Sequence, residues 1–543
     1  MNFKRLLYTL FLYTPFLWLF TSCSETKQHK HDIFHMNFYF GLTSLDPAFS
    51  KDQATMWADN QIYNGLVQID EKMNVQPCIA KSWKISADGL TYVFTIRNDV
   101  YFHDHEKFAD GKGRKVVAQD FVYSFNRLMD TTVASTGAWL FNDKVDKTIP
   151  FEAPNDSTFI IHLKSPFHPM LGMLTLQYCS VVPKEVVDFY GKDFRSHPVG
   201  TGPFKLVRWE ENSVLILTKN TNYFEKDSVG NKLPYLQGVR ISFIIDRSAE
   251  FMQFSQGKLD FMNSISVDFK DKLLTPTGEL KPEWKDKIVF EKMPYLNTEY
   301  LGISMAKQPV EALKNKKVRQ AINYAIDRKK MITYMRNGIG FPAENGMIPK
   351  GDACFDAVAV KGYTYDVEKA KKLLLEAGYP NGKGIGTIKI FCNPNYVDLI
   401  TYISNELANI GITCQIENTP ASFLREAMRK NDVEFFRASW IGDYPDGENY
   451  LALFYSKNDA PPNYTFFKNE QYDRLYEAAM KETDVAKTCA LYHQMENIII
   501  DEAPVVPLFY DEVTRFVHKN VKGLPNNAMN LLILKGVKLE SDK

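Results

Sequence analysis

Beyond residue 20 this chain has no apolar run approaching the roughly 20 residues that a membrane-spanning helix needs. Neither sign of charge prevails: 65 Lys+Arg stand against 65 Asp+Glu, which leaves no basic footprint for nucleic acid. The 7 cysteines include no CxxC pair, so neither a zinc site nor a small disulfide framework is implied. No G-x-S-x-G, H-E-x-x-H or P-loop pattern occurs, and an enzymatic reading starts without support. Internal repeats and long low-complexity tracts are also missing.

What is present is a large, foldable chain. Its 543 residues and 45% hydrophobic content suit three or four lobes, each with a core. The 38 Phe and 28 Tyr are high for a soluble chain, which points to aromatics lining a cavity. Lys4 and Arg5, an apolar run from Leu6 to Phe20, and then Thr21-Ser22-Cys23 form the three-part pattern of a secretory signal. Small residues directly before Cys23 resemble a lipoprotein cleavage site. Lipidation of Cys23, removal of 1–22 and a polar tether over 23–36 are therefore expected. His29, His31 and His35 belong to that tether, since no cysteine or carboxylate cluster joins them at ligand spacing.

Period-two alternation puts Tyr92, Phe94 and Ile96 on one face of a strand. A strand from Asn37 to Gly41 precedes a helix-like stretch from Gln53 to Leu66, and Lys115–Met129 reads as an amphipathic helix with Asp120 and Arg127 outward. Residues 205–209 and 214–218 form a hairpin. From 314 onward helices and strands alternate, with one helical stripe through Val318, Ile322 and Ile326 and an N-cap at Asp366. That alternation predicts an α/β region with a largely parallel sheet. Cys392 and Cys414 fall in adjacent predicted strands.

Three local groupings carry possible chemistry. His103-Asp104-His105 diverge at consecutive loop positions and read as a solvated turn. Gly200-Thr201-Gly202 lacks the Gly-Lys-Ser/Thr and the helix that a phosphate site requires, so it reads as a structural turn. Asp443 and Asp446 form a carboxylate pair compatible in principle with a secreted hydrolase, but nothing in the sequence separates their pKa values.

Several segments together resemble the extracellular solute-binding protein family 5 of bacterial ABC importers. They are LDPAFSKDQATMWADNQIYNGLVQID (45–70), PCIAKSWKISADGLTYVFTIRNDVYFHD (77–104), KVVAQDFVYSFNRLMD (115–130), PVGTGPFKLVRWEENSVLILTKNTNYF (198–224), KKVRQAINYAIDRKKMI (316–332), YDVEKAKKLLLEAGYP (365–380) and WIGDYPDGENYLALFYS (440–456). The resemblance implies a periplasmic binding protein-like fold of type II, cluster C: two α/β ligand-binding lobes joined by a hinge, plus an extra α+β lobe. Lobe I would comprise 37–71, 197–300 and 509–543; lobe II 72–196; lobe III 301–508. It also implies a non-enzymatic, monomeric receptor without cofactor or metal. That receptor would be lipid-anchored on the periplasmic side of the cell envelope, capturing oligopeptides for an ABC permease and its ATPase subunits.

By the same resemblance Asp443 would hold the free amino group of the peptide, Trp440 would wall a side chain, Gly442 would admit the ligand backbone and Tyr444 would offer a hydroxyl. Gly41, at the end of the first strand, would meet the peptide main chain as an added strand does. Dipeptide-binding members place an arginine near the start of the helix after 387–391, and residues 393–402 contain none. That favours longer peptides over a strict dipeptide clamp and leaves nickel-chelate and oligosaccharide receptors as alternatives.

Overall fold

The computed structural model describes residues 32–264, 267–306 and 310–540. The export segment, Cys23 and the tether histidines His29 and His31 lie outside the described residues.

Three sheets organise the chain. In the first, Ile33–Asn37 runs parallel to Gly238–Ser242, which continues antiparallel into Val214–Lys219 and Phe204–Glu210. The hairpin read from the sequence is thus present. The first strand, however, spans Ile33–Asn37 rather than 37–41, so residues 33–36, expected in the tether together with His35, belong to the sheet, where His35 pairs with Arg240. The Asn37 side chain donates to the Ile244 carbonyl and accepts from the Ile244 amide, which ends the ladder and leaves Gly41 in irregular chain.

The second sheet is antiparallel and contains Ala80–Ile85, Thr91–Ile96, Thr158–His162 and Phe151–Asn155. Tyr92, Phe94 and Ile96 are buried as the alternation predicts. Helix Ala118–Met129 covers the sheet and sets Phe125 edge-on to Phe151 and Phe159, each centroid 5.4 Å away. Asp120 and Arg127 do not face outward. Asp120 accepts from Arg114 and from the Val117 amide, and Arg127 is paired with buried Asp46 at 2.8 Å. The sheet and the 43–51 loop both reach the helix, so part of its polar side is interior, while Gln119 and Asn126 stay exposed. One continuous apolar core joins these first two sheets.

Close backbone contact explains the Gly-Thr-Gly turn. A Cβ on Gly200 would lie 2.2 Å from the Ile62 carbonyl oxygen, and one on Gly202 2.4 Å from the Ile62 carbonyl carbon. His103, expected in a solvated turn, is buried against this turn and bonds the Gly202 carbonyl at 3.0 Å. Burial lowers its pKa to about 4 and keeps the ring neutral.

The third sheet has seven strands. Phe261–Asn263, Val505–His518, Ile288–Ile303, Phe435–Ile441, Thr387–Cys392 and Thr413–Asn418 lie side by side, and Phe341–Pro342 joins Val505–His518. Only Thr387–Cys392 pairs in parallel, with both of its neighbours; the other pairings are antiparallel, so the sheet is mixed. The two long strands contribute to four separate cores along their length, through Val517, through Ile288 and Phe516, through Leu296 and Tyr300, and through Leu301 and Leu508.

Asp366 caps Val367–Glu376 as expected, by accepting from the Lys369 amide. The 316–332 stripe is broken into Lys316–Tyr324 and Arg328–Met335, because Asp327 caps a second helix. Cys354 and Cys489 form a disulfide across 135 residues. Cys392 and Cys414 remain free: the first stands opposite Asn418 and the second opposite Ile388, about 13 Å apart along the ladder.

Candidate functional site

A register break in the long strands creates the site. Between Pro294 and Thr298 the pairing with Val505–His518 slips, so that Tyr295, Leu296 and Asn297 together oppose Asp511 alone. Pro294 has no amide hydrogen to donate. Leu296, freed from that ladder, donates to the Ala528 carbonyl at 2.9 Å, and its own carbonyl accepts from Gly442 N at 2.7 Å and from the Tyr450 hydroxyl at 2.7 Å. The loop after strand Phe435–Ile441 is thereby pinned to the middle of the connection between the sheets.

Asn449 organises that loop. Its buried Oδ1 accepts from Trp440 Nε1 at 2.8 Å and from the Asp443 amide at 3.2 Å. Trp440 is half-buried and packs against the apolar core that contains Leu296 and Tyr450. Gly442 is required by the protein itself, since a Cβ there would sit 2.7 Å from the Tyr450 hydroxyl. Tyr444 is buried, stacks on Trp139 with ring centroids 6.3 Å apart, and donates its hydroxyl to Glu448. The expected Tyr444 hydroxyl for a ligand is therefore already engaged.

Asp443 differs from its neighbours. Its side chain is open to solvent, yet protein surrounds it closely enough that burial raises its pKa, with a bond from Asn449 acting the other way. No lysine, arginine or histidine among the described residues contributes to its electrostatics. Such a carboxylate, wet at its tip and walled by protein, suits an incoming cation.

Asp446 is committed inside the protein. It accepts from the Glu448 amide at 2.9 Å and the Tyr492 hydroxyl at 2.7 Å, and its other oxygen lies 3.7 Å from His168. It does not stand ready beside Asp443 as the second group of a hydrolytic pair. Behind the loop, burial pushes Asp352 up to about 7 and Glu496 up to about 8.

On the other side stand Tyr39, Phe40 and Gly41; Phe40 is 64% exposed. Although residues 393–402 lack an arginine, Arg437 from the neighbouring strand places its guanidinium 3.2 Å from the Tyr396 ring centroid, at the start of helix Val397–Ala408. Glu299 neutralises it in a buried pair, and burial pushes that carboxyl up to about 7. Leu296, Asn449 and Arg437 escaped the sequence reading. The Asn in Gly-Glu-Asn-Tyr450 was visible, but its role depends on a turn that folds it back on Trp440.

Two bodies joined by a pair of long strands, with an extra antiparallel sheet fused to the first, define a periplasmic binding protein fold of type II. Residues 74–462 match the bacterial extracellular solute-binding proteins, family 5 Middle, and the chain belongs to that family. It is 26% identical over 490 residues to the glutathione-binding protein GsiB of Shigella flexneri serotype 5b (strain 8401), covering 89% of this chain and 90% of GsiB. It is 28% identical over 501 residues to heme-binding protein A of Haemophilus influenzae, covering 89% and 88%. Among solved structures it resembles the periplasmic binding protein DppA from Helicobacter pylori in complex with peptide STSA, with a TM-score of 0.72, 28% identity and coverage of 94% and 98%.

Proposed function

We propose that this chain is the substrate-binding component of an ABC importer and captures oligopeptides by their free amino end at Asp443. The observation that carries the reading is a solvent-open carboxylate without a counter-cation among the described residues, in a loop whose other polar groups are satisfied within the protein. A charge-assisted bond to an ammonium there contributes roughly 1.5–3 kcal/mol. The lobes divide at 72, 197, 301 and 509, and closure of lobe III onto lobe I about the long strands encloses the solute. The protein acts without catalysis, as a monomer tethered through lipidated Cys23 on the periplasmic side, and hands the peptide to a permease with its ATPase subunits. The Cys354–Cys489 disulfide supports an oxidising compartment.

Calorimetry of the purified protein with tri- to pentapeptides tests this. Binding is expected, and N-acetylation or Asp443→Asn is expected to weaken it about 10- to 100-fold. Equal affinity for acetylated and free peptides would remove Asp443 from the mechanism. Mass spectrometry of the solute carried through purification separates peptide from a nickel chelate, oligosaccharide or porphyrin.

A further inference from the structure

After Asn37 the chain opens a pocket of about 370 Å³. Its walls are the rings of Phe38, Tyr39, Phe40 and Trp57, with Gly41 at the mouth. Most polar groups at its edge are already used. Asn37 donates to Glu250, which is paired with Arg247; Asp52 caps helix Gln53–Ile62; and Gln53 accepts from Asn263. What remains for an incoming molecule is ring surface. Tyr39 is pinned by the Arg247 guanidinium 4.2 Å from its centroid, while Phe40 stands in solvent.

The segment 528–530 ties the pocket to the Asp443 loop. Ala528 and Asn530, at most about 7 Å apart along the chain, reach both. The Ala528 carbonyl accepts from Leu296, which holds Gly442, and the Asn530 carbonyl accepts from Trp57 Nε1 at 2.7 Å. Burial raises the Tyr178 pKa, and the charges of Asp443 and of Asp52, a pocket residue, add to it. Both carboxylates thus lie within electrostatic reach of one hydroxyl.

We propose that this pocket is a specificity subsite for a flat apolar ring of the captured solute, with exposed Phe40 as its determining residue and buried Trp57 as the floor beneath it. For a peptide that ring is a Phe, Tyr or Trp side chain, an assignment that rests on the peptide-capture reading; the preference for an apolar ring rests on the pocket alone. Matched tripeptides, with Ala or Trp at each position in turn, are titrated into the full chain in detergent. At one position Trp is expected to bind about 10-fold or more tighter than Ala. Phe40→Ala is expected to erase that preference, bringing the Trp and Ala peptides to within about 2-fold of each other. Phe40 is exposed, so the variant folds. Indole is then soaked into crystals of both proteins, which examines the pocket without a peptide. Indole seated on Phe40 and Trp57 in the parent and lost in Phe40→Ala supports the subsite even if no peptide binds, in which case the peptide reading falls. A Trp preference that survives Phe40→Ala, no preference at any position, or an indole-free pocket overturns it.

Discussion

From Trp440 to Tyr450 nearly every polar side chain is bonded within the protein, whereas after buried Phe38 the chain leaves the Phe40 ring against water. The first wall owes its shape to buried hydrogen bonds, and Asp443 is the group it holds out to solvent. Nothing holds Phe40 in a comparable way. Substitutions behind the first wall should therefore change stability and binding together, and substitutions in the second should change binding alone.

The largest effect is expected for Asn449→Ala. It removes the acceptor shared by Trp440 Nε1 and the Asp443 amide, and two partly buried donors left to water or unpaired should lower stability by about 1–3 kcal/mol. Chemical denaturation measures this, and a variant as stable as the parent would mean that another group shapes the loop. Gly442→Ala comes next, at about 1–3 kcal/mol, because the added methyl meets the Tyr450 hydroxyl at 2.7 Å. Placing it in a Tyr450→Phe background should recover part of the loss, which a double-mutant cycle reads directly.

A third test concerns acidity behind the first wall. An unfolded chain releases the Asp352 and Glu496 protons near the ordinary carboxylate range, while the folded protein keeps them to about 7 and about 8. Each group's stabilisation is full below its unfolded pKa and is lost as pH rises through the folded one. Within that window the slope is about 1.4 kcal/mol per pH unit for each group. Melting temperature should fall between pH 5 and 8, and Asp352→Asn with Glu496→Gln should flatten the curve. The smallest effect is reserved for the second wall: Phe40→Ala should stay within about 0.5 kcal/mol of the parent in denaturant. A large loss there would erase the contrast between the walls.

Much of the fold was legible because it is local. The alternation of Tyr92, Phe94 and Ile96, the Asp366 cap and the 204–219 hairpin follow from residue spacing and short-range bonds. The readings that failed involve partners distant in sequence. Arg127 looked like a solvated helix face until Asp46, 81 residues away, came against it. The Cys354–Cys489 bridge and the pairing of Ile288–Ile303 with Val505–His518 leave no periodic trace. At the site, the Trp-Ile-Gly-Asp-Tyr-Pro string drew attention to Asp443, but not to the bulge at Leu296 or the fold-back of Asn449 that position it.

The sequence alone determined many of the strands and helices, since backbone preference and side-chain periodicity act over a few residues. Its motif order was also sufficient to indicate the family. Only the tertiary structure decided which carboxylates stay open and which are neutralised. Asp443 and Asp446 are chemically the same three residues apart, and the difference is that Tyr492, His168 and a backbone amide crowd the second, while among the described residues no cation pairs with the first. Desolvation and pairing depend on what long-range packing brings within a few ångströms, and no local pattern encodes that.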